Sequence, residues 1–137
     1  MTTGKVLKAF AMSFVLLITN SCEKPAGPGG KATIKGKLYA KNFDSYGTSV
    51  ISEYYIAGEN VFICYGTNNG VGNNVRTSTD GSFEFLYLNK GHYKIFANSR
   101  DTSIHVKNSK KTIPVIMELD ISSTTQTSDV GIIVINK

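Results

Sequence analysis

Two glycine turns, Asp80-Gly81 and Lys90-Gly91, bracket a stretch whose apolar residues alternate, and that pairing leaves little choice of fold. Glycine takes positive φ at little steric cost, and an Asp side chain bonds the backbone that follows it, so each dipeptide marks a reversal of the chain. Between and after the turns, Phe83, Phe85 and Tyr87 fall on one face of an extended segment, and Tyr93, Ile95 and Ala97 fall on one face of the next. The expectation is two consecutive antiparallel strands.

The rest of the chain reads the same way. Val, Ile, Thr, Tyr and Phe dominate its apolar set, tryptophan is absent, and no helical period emerges. Strands are expected over residues 33–41, 60–65, 74–79, 82–88, 92–99, 111–121 and 129–136, with 54–56 a short strand or an extended connection. Ile34, Leu38 and Ala40 should point inward, and Lys35, Lys37, Tyr39 and Lys41 outward. Lys31, Lys35, Lys37 and Lys41 read as a guard on an exposed edge strand. The last strand is apolar on both faces, through Val130, Ile132, Ile133, Val134 and Ile135, and should be covered on both or paired centrally. Cys64, among Phe62, Ile63 and Tyr65, should be a buried thiol.

The first 21 residues do not belong to this fold. Lys5 and Lys8 precede an apolar run over 9–18 that Ser13 alone interrupts, and the first acidic residue is Glu23. The run is shorter than the roughly 20 residues a spanning helix needs, so 1–21 reads as a cleaved export signal. Residues 22–31 carry Pro25, Gly27, Pro28, Gly29 and Gly30 and read as a flexible tether, leaving 32–137 as one domain. The formal charge of +5 falls to +3 without Lys5 and Lys8, too mild a balance to suggest nucleic acid.

Two resemblances follow from these residues. Leu16-Leu17-Ile18-Thr19-Asn20-Ser21-Cys22 resembles the lipobox of bacterial lipoproteins, although Thr19 stands where the family usually has Leu and Asn20 is larger than usual. The resemblance implies that Cys22 carries fatty acids, palmitate among them, and anchors the chain to a bacterial cell envelope, in the outer membrane. The spacing Leu88-x-x-Gly91-x-Tyr93 resembles the tyrosine corner of β-sandwiches. Together with Val61, Phe62 and Ile63 and the run from Val75 through Asp80-Gly81 to Phe85, it resembles the carboxypeptidase regulatory-like, or transthyretin-like, domain. That resemblance implies an all-β, seven-stranded Greek-key β-sandwich, with Asp80, Gly81, Leu88, Gly91 and Tyr93 as fold-determining residues. It implies architecture and says little about activity.

Catalysis needs convergent titratable groups, and the chain has two histidines, His92 and His105, neither with carboxylates or cysteines at ligand spacing in the sequence. The transthyretin-like hydrolase ends on a Tyr-Arg-Gly-Ser-type sequence, whereas this chain ends Val134-Ile135-Asn136-Lys137. No catalytic residue, metal site or cofactor is therefore expected, and a small hydrolase using His92, His105 and Arg76 is the alternative. A second alternative is an accessory subunit that pairs through its last strand. The candidate recognition surface is Tyr46, Tyr54, Tyr55, Asn68 and Asn69, with Tyr39 nearby in type, because Tyr and Asn offer stacking area and hydrogen bonds to an envelope glycan or an envelope protein. The expected function is a lipid-anchored, non-enzymatic binding or structural module with no nucleic-acid partner.

Overall fold

The structure, a computed structural model, describes residues 23–137. The expected export signal and Cys22 lie outside the described residues. Eight strands follow one another: β1 (Pro28–Phe43), β2 (Val50–Tyr55), β3 (Asn60–Tyr65), β4 (Val71–Arg76), β5 (Ser82–Leu88), β6 (Gly91–Arg100), β7 (Thr112–Ile121) and β8 (Thr127–Asn136). They form two four-stranded sheets packed face to face, an all-β sandwich. The expected count of seven is corrected to eight. The missed strand is β2, whose six residues are all exposed, so no buried alternation marks it in the sequence.

In the first sheet the 16-residue β1 is the spine. One edge of β1 pairs antiparallel with β5 up to Lys37 and with β2 from Tyr39 onward, so β5 and β2 lie end to end. Leu38 serves both at the junction, donating to Gly81 O at 2.8 Å and accepting from Ile56 N at 3.2 Å. The other edge of β1 pairs parallel with β8. The second sheet runs β4-β3-β6-β7, antiparallel throughout.

The core lies between the sheets. Ile34, Leu38, Phe83, Phe85, Ile133 and Ile135 from the first sheet meet Val61, Ile63, Tyr93, Ile95 and Ile121 from the second. Each occupies one parity of its strand, because successive side chains of a pleated strand point to opposite faces. Cys64 is buried with a free thiol.

Four readings of the sequence are corrected. Tyr87 does not share a face with Phe83 and Phe85. Two steps of β1, Ala32 to Ile34, oppose three steps of β5, Leu88 back to Phe85, and this bulge turns Tyr87 outward with φ of 60° and 69% of its surface exposed. β8 is neither central nor covered on both faces: Ile133 and Ile135 enter the core, while Ile132 and Val134 remain 53% and 41% exposed. β1 is paired on both edges, so its lysines guard no edge; they stand on the outer face of a central strand. The Pro/Gly-rich stretch expected as a tether over 22–31 is already sheet from Pro28, and Asn89 N donates to Gly27 O at 2.8 Å. Tertiary hydrogen bonds offset the ordering entropy that its composition alone cannot.

Candidate functional site

The outer face of the β1 sheet gathers its side chains by cross-strand register. Tyr39 stands opposite Tyr55 on β2 and Val134 on β8, Lys41 opposite Glu53, Lys37 opposite Ser82 and Ile132, and Lys35 opposite Glu84 and Asp129. The odd-numbered residues of β1 point outward because the even-numbered ones fill the core. The two tyrosine rings meet edge to face, centroids 5.1 Å apart. Tyr39 Oη donates to Glu53 Oε2 at 3.3 Å. Partial burial, then the neighbouring Glu53 carboxylate, hold the Tyr39 phenol above its ordinary pKa.

Lys37 links this aromatic pair to the turn before β5. Its Nζ lies 5.2 Å from the centroid of the half-exposed Tyr55 ring and 3.2 Å from Asp80 Oδ2. Asp80 Oδ1 accepts from Ser82 Oγ at 2.6 Å and Ser82 N at 3.1 Å. These bonds, with the Lys37 ammonium, pull the Asp80 carboxyl down to about 2. Beyond Lys37 the face opens into a groove of about 350 Å³ lined by Lys35, Lys37, Ser82, Glu84, Asp129 and Ile132. One face thus offers ring surface, cations and carboxylates in sequence along β1.

The expected recognition residues are not brought together. Tyr55 belongs to the face just described, but Tyr54, opposite the inward-pointing Ala40, emerges on the other side of the sheet. Tyr46 sits in the β1–β2 loop, where Lys107 Nζ lies 6.0 Å from its ring. That loop is pinned beside the end of β6, Arg100 donating to Asp44 O and Ser45 O at 2.8 Å each. Asn68 and Asn69 lie in the β3–β4 turn, where Asn69 Oδ1 accepts from Lys94 Nζ at 3.2 Å near the start of β6. Lys94 and Arg100 are roughly 20 Å apart along the strand. What the sequence reading missed is Glu53, Glu84, Lys37 and Asp129, whose roles follow from register; recognising β2 as the partner of β1 would have found Glu53.

The groups of the hydrolase alternative are scattered too. His92 lies at the start of β6, His105 in the exposed connection after its end, and Arg76 on β4 opposite Asn60, at the far end of β3 from His92. His92 does have carboxylates at hand, contrary to the sequence reading, because β7 supplies them by register: its Nδ1 donates to Asp120 Oδ1 at 2.8 Å, and its Nε2 is 3.4 Å from Glu118 Oε2. Among the described residues no group of three His, Cys, Asp or Glu side chains is placed to hold a metal.

No family model and no curated protein sequence matches the chain. Among solved structures it is similar to a proposed carbohydrate-binding protein of Pseudomonas aeruginosa, at 13% identity over 82% of this chain and 92% of that one, with a TM-score of 0.47. It is similar as well to the major pilin subunit of Bacillus cereus, at 19% identity over 79% of this chain and 30% of that one, with a TM-score of 0.45. Likeness at this level assigns no residue a role.

Proposed function

We propose that the protein is a lipid-anchored, non-enzymatic binding module of a bacterial cell envelope, and that the outer face of its β1 sheet takes an envelope glycan. The observation that carries this reading is the edge-to-face Tyr39–Tyr55 pair, set on an open sheet face among Lys37, Lys41, Glu53 and the groove beyond. A sugar ring presents an apolar C–H face to an aromatic surface and hydroxyls to charged groups of both signs, which this face offers side by side. The anchor rests on Cys22 and the leader before it, and the transthyretin-like Greek-key reading rests on the motif from Val61 to Tyr93. The small-hydrolase reading gains nothing from the structure, because its three polar groups lie apart; for the accessory-subunit reading, β8 pairs with β1 on one edge and has no strand partner on the other among the described residues.

The test is binding of the purified protein to a glycan array and to isolated peptidoglycan, alongside a Tyr39→Ala/Tyr55→Ala double variant. Retention by at least one glycan, cut tenfold or more in the variant at unchanged circular dichroism, is expected. Equal retention by both proteins would remove the face from the account. Intact mass of the membrane-extracted protein checks cleavage and acylation at Cys22 separately.

A further inference from the structure

The chain's route into the sheet sets how the domain meets the bilayer. Gly27 N donates to Tyr93 Oη at 3.0 Å, Asn89 Nδ2 donates to Pro25 O at 3.2 Å and to Pro28 O at 3.1 Å, and Asn89 N donates to Gly27 O. Ala26 packs against the core, and a Cβ on Gly91 would meet its Cβ at 2.6 Å. The strap is therefore held from Pro25 onward, and only Glu23 and Lys24 separate it from Cys22. A free ten-residue coil would have a root-mean-square reach of roughly 17 Å. Three residue steps reach at most about 10 Å, of which the headgroup layer takes roughly 5–7 Å.

We propose that the end of the sandwich formed by residues 66–70, 89–90 and 122–126 rests directly on lipid headgroups and holds the Tyr39–Tyr55 face away from the bilayer. This inference rests on acylation at Cys22. The three turns converge there by topology, since β3 ends where β6 begins and β7 ends beside Gly91. Their surface is polar: residues 66–70 and 122–126 include no charged side chain, and Lys24 and Lys90, with Glu23, line one groove with Ser122, leaving a net positive charge there. Tyr87 supplies a second, independent observation. The bulge exposes this ring beside the strap, next to Leu88 where β5 pairs with Pro28, and tyrosine favours the membrane–water interface. Tyr39 lies seven residues along β1 from Ala32, which pairs with the same Leu88, and so roughly 23 Å away if the strand stands upright.

The experiment uses the acylated full chain in phosphatidylcholine/phosphatidylglycerol vesicles containing a headgroup nitroxide lipid. A fluorophore is placed on Thr124→Cys or on Lys110→Cys, each in a Cys64→Ala background. Quenching at residue 124 should exceed that at 110 by threefold or more, and an added Asn89→Ala/Tyr93→Phe pair should bring the two within a factor of about 1.5. Equal quenching in protein that floats with the vesicles overturns the orientation and leaves the anchor standing. Protein that does not float overturns the anchor and this inference with it. Amide exchange in detergent gives a lipid-free check: slow exchange at Gly27 and Asn89 supports the strap, and exchange at coil rates overturns it.

Discussion

The Tyr93 hydroxyl lies 3.0 Å from the amide nitrogen of Gly27 and donates at 2.7 Å to the carbonyl oxygen of Asn89, four residues upstream. One buried phenol thus ties the entering strap to the β5–β6 turn, and burial raises its pKa above the ordinary tyrosine value. Tyr93→Phe keeps the ring packing and strands a buried amide and a carbonyl. A loss of about 1–3 kcal/mol in urea denaturation is expected, with no change in m-value.

Asp80 makes stability depend on acid. Its folded pKa of about 2 lies below the unfolded carboxylate value of about 3.9, so its contribution is full above the unfolded value and is lost as pH falls towards the folded one. Carboxyl-detected NMR titration should place its midpoint near 2, and Ser82→Ala should move that midpoint upward by removing the closest hydroxyl.

Gly81 and Gly58 both have positive φ, at 77° and 70°, but only one has room for a side chain. A Cβ on Gly81 would sit 2.6 Å from Leu38 O at the junction of β2 and β5, whereas one on Gly58 meets nothing within 4 Å. Gly58→Ala should cost about 1–2 kcal/mol from backbone strain alone, and Gly81→Ala about 3 kcal/mol or more. Thermal denaturation of the two variants checks the order; equal losses would contradict the junction geometry.

Neighbouring isoleucines of β8 should differ sharply. Ile133→Ala opens a cavity in the core and is expected to cost about 2–5 kcal/mol, while Ile132→Ala on the outer face should change stability by less than about 0.5 kcal/mol. Deleting residues 127–137 removes Ile133, Ile135 and the strand that pairs with that edge of β1. The truncated chain should lose its cooperative transition in circular dichroism.

Alternation was legible wherever one face is buried. Tyr93, Ile95 and Ala97 on β6, and Ile34, Leu38 and Ala40 on β1, all enter the core, because a one-residue slip would put them in water. β2 was illegible beyond its last residues because exposed strands carry no inside–outside contrast. Tyr87 misled because a bulge breaks parity without changing composition. The candidate face was only partly legible: Tyr55 and Tyr39 stood out as aromatic, but their partners lie 14 to 95 residues away in sequence and meet them only through pairing.

By itself the amino-acid order determined that residues 33–136 form alternating strands between glycine turns, since periodicity and turn chemistry are local. Which strand is the spine, which edge β8 takes, and that a Pro/Gly-rich strap is held rather than loose were decided by tertiary structure alone. Those outcomes depend on backbone groups finding partners far along the chain, and a hydrogen bond such as that between Gly27 and Tyr93 leaves no mark on the composition around either residue.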